Sequence, residues 1–166
     1  MRVRVLFLIA AVVCLSCGIG VTEGPGEIVT EPVGALLRPS ETRAEIHQYA
    51  VDAARAAGAP LVVRSEDKMN CGSELKTYVL DVYYIDGNYA IDVPPEGRAA
   101  AVKKIRAWWR SQGMDFRDDP EPNDIAARKG DVSLGVQPAH ADNVLPIYVN
   151  SGCRTDPESV SPSPSR

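Results

Sequence analysis

Histidine is almost missing from this sequence, with two in 166 residues. That leaves little material for a histidine-based metal centre or a proton relay. Positive charge is not in excess either: 18 Lys and Arg stand against 22 Asp and Glu, a net charge of −4. Nucleic-acid binders carry a basic stripe, so that class of partner is set aside. No apolar run reaches the roughly 20 residues that a membrane-spanning helix needs. The GxSxG elbow, the P-loop, GxGxxG, HExxH and paired CxxC patterns are all absent. Without them no reaction can be named, and no catalytic residue, cofactor or metal is assigned. What is present is a 45% hydrophobic fraction, too much for a wholly disordered chain, and a length that suits one domain.

The first residues carry an address. Arg2 and Arg4 precede an unbroken apolar run of eleven residues, Val5 to Leu15. Eleven is signal-peptide length, and small residues follow. A buried core helix is the competing reading, but an Arg-flanked apolar run at the very start is seldom core. The stretch Val13-Cys14-Leu15-Ser16-Cys17-Gly18 resembles a bacterial lipobox, with small Ser16 just ahead of the cysteine. It departs from the commonest pattern, which places Leu three residues before the Cys. The resemblance implies removal of residues 1–16 and a mature chain that starts at Cys17. The Cys17 thiolate would take a thioether-linked diacylglycerol, and two or three acyl chains of the palmitate kind hold a protein stably on a membrane. Ordinary signal cleavage, with Cys17 free or lost, is the alternative.

Cysteine parity follows from this. With Cys14 removed and Cys17 acylated, Cys71 and Cys153 remain, and in an exported chain they have only each other as an internal partner. A disulfide Cys71–Cys153 is therefore expected. A redox or metal pair would call for C-x-x-C spacing or a nearby His, and neither is present.

Composition divides the rest into a Gly/Pro-rich tether over 17–35, one domain over 36–155, and a Ser/Pro-rich disordered tail over 156–166. Ile46, Tyr49, Ala50, Ala53, Ala54 and Ala57 recur at helical spacing, with Ser40 or Thr42 as cap and Gly58 and Pro60 as the stop. Strands are predicted at 61–64, at 77–85 and, after an Asp86-Gly87-Asn88 turn, at 89–93. Residues 65–76 read as a polar connection. A second helix opens at Pro94-Pro95 and carries Ala101, Val102, Ile105, Trp108 and Trp109 on its apolar stripe, with Gly113 as its end. Its basic face (Lys103, Lys104, Arg106, Arg110) could meet anionic lipid or wall polymer, but it suits an ordinary solvated face with cations near the negative end. Short strands follow at 114–117, at 125–128 and 132–136 about a Lys129-Gly130 turn, and at 144–151, where Pro146 implies an edge, a bulge or a late start. The predicted fold is α+β, two helices packed on one face of a mostly antiparallel sheet, in the order α-β-β-β-α-β-β-β.

Candidate contact residues are few. The tyrosines Tyr78, Tyr83, Tyr84 and Tyr89 suit cross-strand packing better than ligand stacking. Of the adjacent Trp108 and Trp109, one belongs in the core and the other at its margin. Trp108, Trp109 and Tyr83 are thus the possible contact positions. His47 reads as a half-exposed surface residue without a partner His, and His140 lies in a turn-like Pro-Ala-His-Ala-Asp stretch. The run Asp118-Asp119-Pro120-Glu121-Pro122-Asn123-Asp124 has two prolines and no Gly, which fits a solvated loop better than a calcium loop.

Taken in order, these features resemble small actinobacterial envelope lipoproteins, including the LppA-type family. They are the lipobox-like Cys17, a helix, a mid-chain Cys before a tyrosine-rich hairpin, Trp109-Arg110-Ser111-Gln112-Gly113 closing a helix, and Asn150-Ser151-Gly152-Cys153 after a strand. The resemblance implies an extracytoplasmic location and a lipid anchor in the cell membrane, and carries over no catalytic residue. The expected function is a non-catalytic binding or interaction module of the envelope, whose partner is an envelope protein or ligand. The alternatives are an envelope hydrolase, which needs a histidine beside a carboxylate, and an inhibitor or immunity-type lipoprotein that masks a partner.

Overall fold

The computed structural model describes residues 34–71, 81–117, 124–137 and 144–160. Cys17, Tyr78, His140 and positions 118–123 of the acidic run lie outside the described residues.

A two-residue strand, β1 (Ala35–Leu36), leads into the first helix, α1 (Pro39–Ala57). Proline suits the first turn, where its missing N–H removes no helical bond. The helix starts earlier than Ser40 or Thr42 would set it. Arg38 stands at the cap position, and its backbone N–H donates to Glu41 Oε2 at 2.8 Å. Thr42 is instead buried inside the first turns, with its hydroxyl 2.8 Å from that of Tyr83. Gly58 closes the helix at φ 79°, its N–H donating to the carbonyls of Ala54 and Arg55. The inward face is Ile46, Ala50, Ala53, Ala54 and Ala57, so the helix presents little bulk to the sheet beneath it.

Two long strands follow where three shorter ones are predicted. They are β2 (Leu61–Asn70) and β3 (Val82–Ile91), paired antiparallel. The predicted turn at Asp86-Gly87-Asn88 is wrong, because these residues lie in the middle of β3. Gly87 pairs with Glu66 of β2 on one side and with Val149 on the other. Its lack of a side chain serves packing. A Cβ there would stand 2.6 Å from Tyr89 Cε2 and 2.9 Å from Ile46 Cδ1. Glycine inside a strand marks this kind of close approach. The polar stretch from Ser65 is likewise strand as far as Asn70. It is polar because β2 pairs only with β3 among the described residues and leaves its other edge open. That edge is blunted by a bulge between Val63 and Ser65, by Arg64, Asp67 and Lys68, and by Arg43, whose Nε donates to the Glu66 carbonyl at 3.4 Å.

A single 3-10 turn at Pro95–Gly97 opens α2 (Arg98–Ser111), which buries Ala101, Val102, Ile105 and Trp109. Then come β4 (Asp115–Phe116), β5 (Ile125–Lys129), β6 (Val132–Val136), β7 (Leu145–Asn150) and β8 (Arg154–Thr155). Pro146 is second in β7, an interior strand between β3 and β6, so the late start accounts for it and the edge does not. Asp156 N–H donates to the Asp81 carbonyl at 2.9 Å, and a short helical turn, α3 (Pro157–Val160), occupies the first positions that composition gives to the tail.

The sheet runs β1-β8-β3-β7-β6-β5-β4, with β2 on the other flank of β3. Among the described residues every pair is antiparallel except β1 with β8. The architecture is α+β, with both long helices contributing to one core against Ile85, Tyr89, Ile91, Leu134, Val136, Ile147 and Val149. Among the described residues, element order departs from the predicted α-β-β-β-α-β-β-β because one strand precedes α1, two long strands lie between the helices, and five follow α2.

Gly87→Ala should lower unfolding free energy by about 1–3 kcal/mol, since the added methyl meets two side chains that are themselves buried. Urea denaturation measures this. A variant as stable as the parent would show that α1 has room to lift.

Candidate functional site

Two of the three sequence-derived contact positions are core residues. Trp109 is 0% exposed and packs 6.4 Å from the Phe116 ring. Tyr83 is also fully buried: its hydroxyl donates to the Leu37 carbonyl at 2.5 Å and so accepts from Thr42. Neither offers a surface to a ligand. Trp108 is half-buried against the core and keeps the marginal position expected for one of the pair.

A more organised cluster forms where α1 crosses the β2–β3 hairpin. Glu66 faces the helix side because it pairs with Gly87, and the bare backbone there lets the Tyr89 ring lie across. One oxygen, Glu66 Oε1, accepts from Tyr89 Oη at 2.9 Å and lies 3.1 Å from His47 Nδ1. The His47 ring also stands edge-on to Tyr89, with centroids 6.0 Å apart. His47 is 42% exposed at its side chain, whereas Tyr89 is 1% exposed. Burial holds the Tyr89 phenol well above the usual tyrosine range, and the adjacent Glu66 carboxylate adds to the effect. A carboxylate that orients an imidazole is the supporting half of a nucleophilic site. The contacts His47 makes among the described residues are with Glu66 and Tyr89, so the pair chiefly ties α1 to the hairpin. The histidine is legible in the sequence, but its carboxylate, nineteen positions away on a polar edge strand, is not.

A second cluster surrounds Arg154, which is 2% exposed. Its guanidinium reaches both oxygens of Asp131, in the β5–β6 turn, and Glu45 Oε2 of α1 at 3.4 Å. Burial alone would push the Arg154 pKa down, but Asp131 and Glu45 outweigh it and hold it above the ordinary value. Tyr49, nearby on α1, is raised by burial and then by Glu45 and Asp131. Gly152, at φ 69°, lets the backbone pass where a Cβ would stand 2.7 Å from the Asp131 carbonyl. Cys153 follows at once and is bonded to Cys71, with Cα atoms 6.0 Å apart. This cluster fastens the end of the chain to both layers. No local pattern marks Arg154, since Glu45 is 109 positions away. Among the described residues there is no group of three or more His, Cys, Asp or Glu placed to hold a metal ion.

No family model matches the sequence, and no curated protein matches it. Among solved structures the chain is similar to LppA from Mycobacterium tuberculosis, a protein proposed to be a lipoprotein. The TM-score is 0.49 at 9% identity, over 76% of this chain and 83% of that one. A superposition of that quality assigns neither an activity nor an anchor to this chain.

Tyr89→Phe should cost about 1 kcal/mol at neutral pH by removing one hydrogen bond to Glu66. It should also flatten the alkaline loss of stability. The unfolded phenol releases its proton near pH 10 while the folded one retains it, so the stabilisation is complete below pH 10 and is lost as pH rises beyond it. Tyr49 and Tyr83 shift the same way, so the slope shrinks without vanishing. Urea titrations between about pH 8 and 11 compare the two chains, and equal alkaline slopes would refute the assignment.

Proposed function

We propose that this chain is an exported lipoprotein, acylated at Cys17, whose domain works outside the cytoplasmic membrane as a binding or interaction module. The Cys71–Cys153 bond carries this reading: it joins residues 82 positions apart. Such bonds persist in oxidising compartments and are rare in reducing ones. The Arg-flanked leader and the lipobox-like Ser16-Cys17 pair support it from the sequence, and parity leaves Cys17 for the lipid. Among the described residues no helix is long and apolar enough to cross a membrane. Attachment is assigned to the acyl chains at Cys17, since two or three of them hold a protein stably. The partner is an envelope protein or ligand.

The His47–Glu66 pair favours a second reading, an envelope hydrolase with His47 as base. It requires hydrolysis of an ester or amide that His47→Ala abolishes while the circular dichroism of the fold is kept.

Cys17→Ala should move the chain from the membrane fraction to the soluble fraction of lysed cells. Membrane association that survives the substitution would overturn the anchor. Mass spectrometry of the exported chain without reductant should find Cys71 and Cys153 in one linked peptide, and two free thiols would overturn the compartment.

A further inference from the structure

The geometry points to a binding site for a phosphoryl group in the hollow between α2 and the β4–β5 pair. The hollow has a volume of about 240 Å³, and Arg106, Arg110, Phe116, Arg117, Asp124 and Ile125 line it. Its walls are held by regular structure. Arg106 and Arg110 stand one turn apart on α2, β4 pairs with β5, and Arg117 N–H donates to the Ala126 carbonyl at 3.1 Å.

Among the described residues, three guanidiniums and one carboxylate, that of Asp124, line it. Elsewhere the arginines Arg38, Arg55 and Arg154 each pair with Asp or Glu. Arg106, Arg110 and Arg117 have no carboxylate partner among the described residues. Arg106 Nη2 donates to the backbone carbonyl of Asp124 at 3.4 Å, and its Nε is shielded from solvent with no partner. Arg110 lies over the Phe116 ring, 5.4 Å from its centroid. Like charges one helical turn apart repel, and a shielded donor left unmade costs free energy. An oxyanion between the arginines relieves both. Complementing the helix dipole explains Arg110 in the last turn, but it does not explain Arg117, which comes from the strand side.

Guanidinium forks match phosphate oxygens with paired hydrogen bonds. The hollow exceeds the size of the phosphoryl group alone, and the half-buried Phe116 ring gives the remainder an apolar face. The ligand is therefore a phosphate ester with a small organic moiety. It is either a soluble molecule or the headgroup of an anionic lipid. The site stands independently of the anchor at Cys17.

The test uses the purified chain carrying Cys17→Ala, so that no acyl chain contributes. Glycerol 3-phosphate is titrated against ¹H–¹⁵N spectra at constant ionic strength, and sedimentation is measured with vesicles of phosphatidylglycerol or of phosphatidylcholine. Saturable shifts at positions 106, 110, 116, 117, 125 and 126, weakened about tenfold or more by Arg106→Gln, establish a soluble ester as ligand. Sedimentation with phosphatidylglycerol alone, lost in the same variant, establishes the headgroup. If Arg106→Gln unfolds, the exposed pair Arg110→Gln/Arg117→Gln carries the same comparison. Shifts matched by chloride, binding that ignores the arginines, or no response in either arm overturns the proposal.

Discussion

The bare backbone at Gly87 sets how near α1 can lie to the sheet. Ile46 of the helix and Tyr89 of the same strand both occupy space that a single methyl would take. The alanines of α1 match that spacing, since a helix that sits low has no room for larger side chains on its inner face. Once the helix is low, His47 comes within reach of Glu66, Arg43 within reach of the Glu66 carbonyl, and Glu45 within reach of Arg154. The polar ties between the layers thus follow from an apolar packing distance, and they add direction to a contact that burial already favours.

Charge is handled in two ways on this domain. Arg154 is drawn into the interior and met by carboxylates from two different elements, so its desolvation is offset by charge-assisted hydrogen bonds. Arg106, Arg110 and Arg117 are grouped at the rim of a hollow with a backbone carbonyl and an aromatic face for company. In the first arrangement both terminal nitrogens of Arg154 meet carboxylates, and only its buried Nε is left without a partner. The second leaves donors over, and those donors give the surface its chemical preference.

Both long helices were legible from local spacing: Ile46, Ala50 and Ala57 in one, Ile105 and Trp109 in the other, each stopped near a glycine. The β5–β6 hairpin was legible for the same reason, its alternation and its turn being adjacent in the chain. Asp86-Gly87-Asn88 misled because tight turns and mid-strand close approaches favour the same residues, and only the helix overhead distinguishes them. Ser65–Asn70 was missed because an edge strand gains its order from one neighbour and shows solvent-facing chemistry along its length. The clusters about Glu66 and Arg154 were out of reach, since each joins residues whose proximity exists only after the sheet has formed.

The pairing of β1 with β8 has a mechanical side. Gly34 runs against the Cys153 carbonyl, Ala35 and Leu36 lie alongside Arg154 and Thr155, and Leu37 N–H donates to the Thr155 carbonyl at 3.2 Å. A pull on the segment ahead of residue 34 therefore loads β8 as well as the chain that leads into α1. From β8 it passes along the covalent link from Cys153 to Cys71 and through the guanidinium clamp of Arg154. Part of the load is thereby led into the disulfide and the Arg154–Asp131 pair rather than into α1 alone.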